Sequence, residues 1–222
     1  MQDFIKQEQF EIEILERLNS NKLLDNLVLG GGTMLRLCYE LNRFSVDLDF
    51  WVIKKIRFDG LFKRLKDRFK EKYTITDSAN KFHALFFELK SKDYPRSIKI
   101  EIRKEKKEIS TEQTIAYSRH SNIQVLLKTV SLKDMMTAKI DAFLNRKEIR
   151  DVFDMEFLIK RGIGPDAPRD RLQKVLKGID SLKKSDYTVK LGSILPAKQR
   201  QYYLQENFKI LKQALRSALG LQ

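Results

Sequence analysis

Two short segments hold residues of the types that phosphoryl chemistry uses. Gly31-Gly32-Thr33 follows an apolar run, Leu27-Val28-Leu29, and thirteen residues later comes Asp47-Leu48-Asp49. On a strand, residues two apart point to the same face, about 6–7 Å apart along the chain. Asp47 and Asp49 therefore share a face, while Val46, Leu48 and Phe50 point the other way into a core. Two carboxylates this close repel one another unless a cation lies between them. Mg²⁺ fits that role, because it takes oxygen ligands and is commonly held by one or two carboxylates together with substrate phosphates. A glycine turn after a buried strand lets backbone N–H groups approach a phosphate, and the N-terminus of a following helix adds a favourable dipole. Gly31, Gly32 and Thr33 are the residues expected at the phosphates. Taken singly, an Asp-x-Asp is usually a solvated pair and a Gly-Gly a plain turn. Together, with a helix between them, they give the arrangement that phosphoryl or nucleotidyl transfer needs.

These residues have to be positioned by a strand–turn–helix–strand unit, and the surrounding sequence supplies one. Thr33 can cap a helix over 33–42 whose apolar face holds Met34, Leu37, Cys38 and Leu41. The polar/apolar alternation of 46–52 predicts a strand. Residues 3–20 and 58–71 carry the spacing of amphipathic helices. Strands are expected at 72–77, 83–90 and 97–103, with Ser91–Pro95 as the connection between the last two. Residues 123–127 read as one more short strand. Ser131 then opens a helix with Asp134 at the capping-box position. Helices are predicted over 131–146, 150–161, 169–178 and 196–218, with a break across 178–187. The reading is an N-terminal α/β part, 1–110, and a mainly helical part, 111–222, packed on one shared core.

Composition narrows the partners. The 222 residues include 44 Lys and Arg against 30 Asp and Glu, a net charge of +14. A chain this basic attracts polyanions, so nucleic acid or a nucleotide is the first partner to consider. A lysine-rich solvated surface is the plainer alternative. The single cysteine, Cys38, rules out an internal disulfide, and two histidines make a His-built metal centre improbable. No basic, then apolar, leader opens the chain, and no stretch reaches the roughly 18 apolar residues of a membrane span. The expectation is a cytoplasmic protein without membrane contact.

The stretch from Leu29-Gly30-Gly31-Gly32-Thr33-Met34-Leu35 to Arg43-Phe44-Ser45-Val46-Asp47-Leu48-Asp49-Phe50 resembles the first motif of the DNA-polymerase-β-like nucleotidyltransferases. It is most similar to the AbiEii/AbiGii branch of abortive-infection and type IV toxin–antitoxin proteins. A second stretch is similar to the helix pair of that branch: Ala138-Lys139-Ile140-Asp141-Ala142-Phe143, then Arg150-Asp151-Val152-Phe153-Asp154 to Leu158. The resemblance covers about residues 25–160 and implies an α+β fold. A mixed sheet flanked by helices would form the N-terminal nucleotidyltransferase part, followed by a helical C-terminal half. It also implies a third carboxylate on a neighbouring strand. Glu101 supplies it, as Glu where many relatives carry Asp, with Glu88 as the fallback. Lys139 and Asp151 match positions treated as active-site residues in such toxins. The alternative for them is a structural ion-pair set with Arg146, Arg150 and Asp154. Arg43 and Ser45 either contact phosphate or shape the turn before the strand.

The function this implies is Mg²⁺-dependent transfer of a nucleoside monophosphate from an NTP to an acceptor, with two ions bound. Asp47, Asp49 and Glu101 are the metal and catalytic carboxylates. The resemblance points to tRNA or another RNA as acceptor and to a cognate antitoxin as partner. Two other readings stand beside it. One is transfer to a protein or small hydroxylated molecule; the other is a non-catalytic relative that binds nucleic acid or protein.

Overall fold

A computed structural model describes residues 2–221. They divide into two units: residues 2–40 with 44–130, and residues 41–43 with 131–221. The first unit carries strands β1 (Leu27–Gly30), β2 (Asp47–Val52), β3 (Thr74–Asn80), β4 (Ala84–Lys90), β5 (Ile98–Lys106), β6 (Thr111–Tyr117) and β7 (Gln124–Val130). They form one seven-stranded sheet in the order β3-β4-β5-β2-β1-β7-β6. The sheet is mixed: β2 runs parallel to β5 and β1 parallel to β7, and the other pairs are antiparallel.

Alternation decides what each face of this sheet does. Leu48 and Phe50, Leu85, Phe87 and Leu89, and Ile98, Ile100 and Ile102 are all buried on one face. Three helices cover that face: α1 (Gln2–Ser20), α2 (Gly31–Tyr39) and α3 (Phe58–Lys70). From α3, Phe62 and Phe69 pack on Phe87 with ring centroids 4.9 and 5.3 Å apart. From α1, Phe10 stacks on Tyr94 at 4.5 Å. Each fully buried side chain of this size contributes about 1.5–3 kcal/mol. The opposite face carries Asp47, Asp49 and Glu101.

The second unit is helical: α4 (Leu132–Arg146), α5 (Ile149–Lys160), α6 (Arg169–Asp180), α7 (Ala197–Glu206) and α8 (Lys209–Ala218), with a π-helical turn at Asp186–Leu191. Ser131 caps α4 as the sequence predicts, its Oγ accepting from the Asp134 backbone N–H at 3.1 Å. Gly178 lets α6 approach α4 closely, since a Cβ there would sit 2.8 Å from the Phe143 ring. The α+β class expected from the sequence is the class observed.

Three elements differ from expectation. The helix predicted over 33–42 with Thr33 as its cap instead begins at Gly31, with Gly30 as N-cap and no side-chain cap, and stops at Tyr39, where Glu40 adopts a left-handed cap at φ +63°. The long helix predicted over 196–218 is two helices, broken where Asn207 and Phe208 both take positive φ, +45° and +52°. Asn tolerates that conformation, and Phe208 is fully buried against Tyr203 and Tyr187. Strand β6 was not anticipated.

Candidate active site

The glycine turn and the aspartate strand meet directly. Gly30 ends β1 opposite Asp49 on β2. Gly31 then begins α2 at φ +75°, a conformation in which L side chains are strained. A Cβ on Gly31 would lie 2.5 Å from Asp49 Oδ2, so the turn backbone rests against the carboxylate and only glycine fits there. No side chain caps α2. Its first backbone N–H groups lack an intrahelical acceptor, as at any helix start, and the helix begins beside Asp49. Thr33 is fully buried, and its Oγ1 donates to the Asp47 carbonyl at 2.7 Å. That hydroxyl ties the start of α2 to the start of β2.

The third carboxylate falls in register. Asp49 pairs with Glu101 on β5, and Asp47 pairs with Lys99. Glu101 is half exposed, with Arg103 Nε at 3.5 Å from its Oε1. Glu88 lies one strand further out, opposite Lys99, and accepts a 2.6 Å hydrogen bond from Ser97 Oγ. Of the two candidates, Glu101 is the one beside Asp49. Ser45 is half-buried just before β2. Among the described residues no three His, Cys, Asp or Glu side chains form a ready-made metal cage. Asp47, Asp49 and Glu101 nonetheless present hard oxygen donors on one sheet face, the donor type that Mg²⁺ takes.

A buried polar layer lies behind this strand. Gln7 of α1 donates to the Val46 and Ser97 carbonyls at 3.5 and 3.4 Å, joining the leading ends of β2 and β5. Glu8 is buried, paired with Arg36 and hydrogen-bonded by Ser118 Oγ. Glu11 is fully buried and neither of its carboxylate oxygens has a hydrogen-bond partner. Burial, followed by the negative charge of Glu8, pushes its pKa well above the usual carboxylate range; Arg36 opposes this and Asp47 adds to it. The sequence reading did not single out Glu8 or Glu11. The signal was their spacing, which sets Glu8, Glu11, Leu15 and Leu18 along one helical stripe.

Lys139, Asp151 and Arg43 belong to the second unit and form one buried ion-pair cluster there. Arg43 grips Asp154 in bidentate fashion, with both N···O distances 2.6 Å. Lys139 Nζ lies 2.6 Å from Asp154 Oδ2 and 3.5 Å from Asp151 Oδ1. Arg146 holds Asp151 with two bonds of 2.8 and 2.6 Å. Asp151 and Asp154 are fully buried, and Arg43 and Lys139 nearly so. Burial alone would raise the pKa of Asp154. The charge of Arg43 and then of Lys139, with their hydrogen bonds, outweighs it and holds the carboxyl below its usual range. Arg150, raised as a member of this set on sequence, is exposed.

A mixed sheet with Gly30, Asp49 and Glu101 in one row, and Gly31 opening α2 against Asp49, is an arrangement that suits nucleotidyl transfer. The comparisons agree. Residues 13–216 match the family model of the AbiEii nucleotidyl transferase toxin of type IV toxin–antitoxin systems, and the chain belongs to that family. It is similar to JHP933 from Helicobacter pylori, with 25% identity, 95% of this chain and 91% of that one covered, and a TM-score of 0.60. MenT4, a nucleotidyltransferase toxin from Mycobacterium tuberculosis, shares the fold at 15% identity and a TM-score of 0.60, covering 92% and 82% of the two chains. No curated protein matches the chain. The family implies an NTP substrate and an antitoxin partner. No helix among the described residues is long and apolar enough to cross a membrane.

Proposed function

We propose that this nucleotidyltransferase moves a nucleoside monophosphate from an NTP onto a hydroxyl of an RNA, with Mg²⁺ bound at Asp47, Asp49 and the substrate phosphates. The observation that carries the reading is the row itself: helix N-terminus, Asp49, then Glu101, in register on adjacent strands. Adjacent strands are about 4.8 Å apart, so the three groups span one transferring phosphate. Bound there, Mg²⁺ supplies charge neutralisation at the phosphate oxygens. The backbone N–H groups of Gly31, Gly32 and Thr33 hold the donor's phosphates. Glu101 takes the proton of the acceptor hydroxyl as its oxygen bonds to the α-phosphorus. The bond from the α-phosphorus to the bridging oxygen breaks, and pyrophosphate leaves.

Lys139 and Asp151 are proposed as active-site residues by their resemblance to the family, with Arg43 as a nucleotide contact. Ser45 is proposed as a further phosphate contact. The RNA acceptor is supported by the net charge of +14. The test is incubation with α-labelled NTPs, Mg²⁺ and total RNA. Label should enter RNA with the wild type and not with Asp49→Asn. Label entering RNA equally with the variant overturns the metal assignment, and label entering protein or a small molecule instead overturns the acceptor.

A further inference from the structure

The sheet imposes an order on the reaction. Gly30, Asp49, Glu101, Phe86 and Ala79 are register partners across β1, β2, β5, β4 and β3, and partners in one row share a face. With the donor phosphates at the glycine end and Glu101 receiving the acceptor's proton, whatever lies beyond Glu101 on that face lies on the acceptor's side. Phe86 comes next, about 10 Å from Asp49 by two strand spacings. Phe86, Ala79 and Ala84 are half-buried, while α1, α2 and α3 pack on the opposite face. Lys81 Nζ lies 5.3 Å from the centroid of the Phe86 ring. Arg103, opposite Ala84, is about half exposed.

The turn between β3 and β4 extends this platform. Phe82 is 87% exposed, the highest value among the exposed large apolar side chains, and its ring meets His83 edge-on at 4.6 Å. A ring this exposed adds nothing to the core. The cations gather at the same end, Lys81 and Arg103, whereas the row through Asp47 and Lys99 ends on Glu88 and Asp77. Aromatic faces flanked by cations bind unpaired bases: the ring stacks on the base whatever its identity, and Lys and Arg take the phosphates. A polycationic small acceptor would meet like charge here.

We infer that Phe86, Phe82, Lys81 and Arg103 form the acceptor platform, which stacks an unpaired base of single-stranded RNA beside Glu101. The inference rests on the nucleotidyl-transfer reading and on Glu101 as its proton acceptor. Its test is binding of a fluorescein-labelled decaadenylate by anisotropy at fixed salt, with the full chain. Alongside it, the Mg²⁺-dependent rise in melting temperature is measured with each of the four NTPs. Phe82→Ala and Lys81→Ala, both at exposed positions, should each weaken the oligonucleotide about tenfold and leave the NTP-induced rise unchanged. Phe86→Leu, which keeps an apolar side chain, should do the same without loss of fold. Unchanged oligonucleotide affinity in all three variants, or a wild type that does not bind the decaadenylate, overturns the platform. So does loss of the NTP-induced rise in the variants, which would make these rings a site for the donor's base. Failure of the nucleotidyl-transfer reading shows separately, as a wild type that no NTP stabilises.

Discussion

A methyl group at residue 31 tests how far the turn and the carboxylate depend on one another. Gly31→Ala puts an L side chain at φ +75° and a carbon 2.5 Å from Asp49 Oδ2. The backbone conformation costs about 1–2 kcal/mol, and Asp49 has to move. The expected result is a lower urea midpoint together with a fall in transfer rate larger than the stability loss explains. Thr33 acts through its hydroxyl on the Asp47 carbonyl. Thr33→Val should cost about 1 kcal/mol and reduce the rate, and Thr33→Ser should restore both, as read by melting curves and transfer assays. Asp47 and Asp49 are half-buried on the face away from the apolar core, so Asp47→Ala and Asp49→Asn should abolish transfer with little change in melting temperature.

The helix pair α4–α5 is held by charges that cannot be removed singly. Asp154→Asn removes the carboxylate charge that the buried Arg43 and Lys139 both pair with, which should cost about 3–5 kcal/mol. Because the Asp154 carboxyl is held below its ordinary value of 3.8, its contribution is complete above that pH. It is lost as pH falls through the lower folded-state value. Wild type should therefore lose stability in that acid window, and Asp154→Asn should show a flatter profile there, in denaturant melts taken at successive pH values. Lys139→Met breaks the same network, so its fold loss has to be measured before any change in NTP affinity is read. Much of this was legible in the sequence. The run Leu27–Leu29, the glycine turn, the helix and the Asp47–Asp49 strand each carry their own period, and Ser131 with Asp134 marks the start of α4. Strand β6 was hidden because Thr111-Glu112-Gln113-Thr114 offers no apolar alternation. The α7–α8 break was hidden because Asn207-Phe208 contains neither Gly nor Pro, and burial of Phe208 forces it. That Glu101 sits beside Asp49 rather than Asp47 depends on a parallel pairing between distant strands, which no local pattern encodes.

The net charge of +14 acts over the whole molecule, but it is not uniformly useful. Lys63, Lys66 and Lys70 lie off the apolar stripe of α3, and α3 covers the sheet face opposite the carboxylates. Those lysines form a solvated helix surface. Lys81 and Arg103 lie on the carboxylate face. With about five phosphate contacts, raising salt from roughly 50 to 200 mM should weaken RNA binding on the order of a hundredfold, measured by anisotropy. NTP binding, proposed to rest chiefly on metal and backbone donors, should change far less. If the row from Gly30 through Asp49 to Glu101 is the catalytic centre, as proposed, Glu88, one strand away on the same face, is the control. The direct measurement is single-turnover transfer of α-labelled nucleotide by Glu101→Gln and Glu88→Gln at matched melting temperature. Glu101→Gln should lose at least about a hundredfold in rate, and Glu88→Gln should stay close to wild type. A Glu101→Gln protein that transfers at the wild-type rate, or a Glu88→Gln protein that fails in its place, would contradict that assignment.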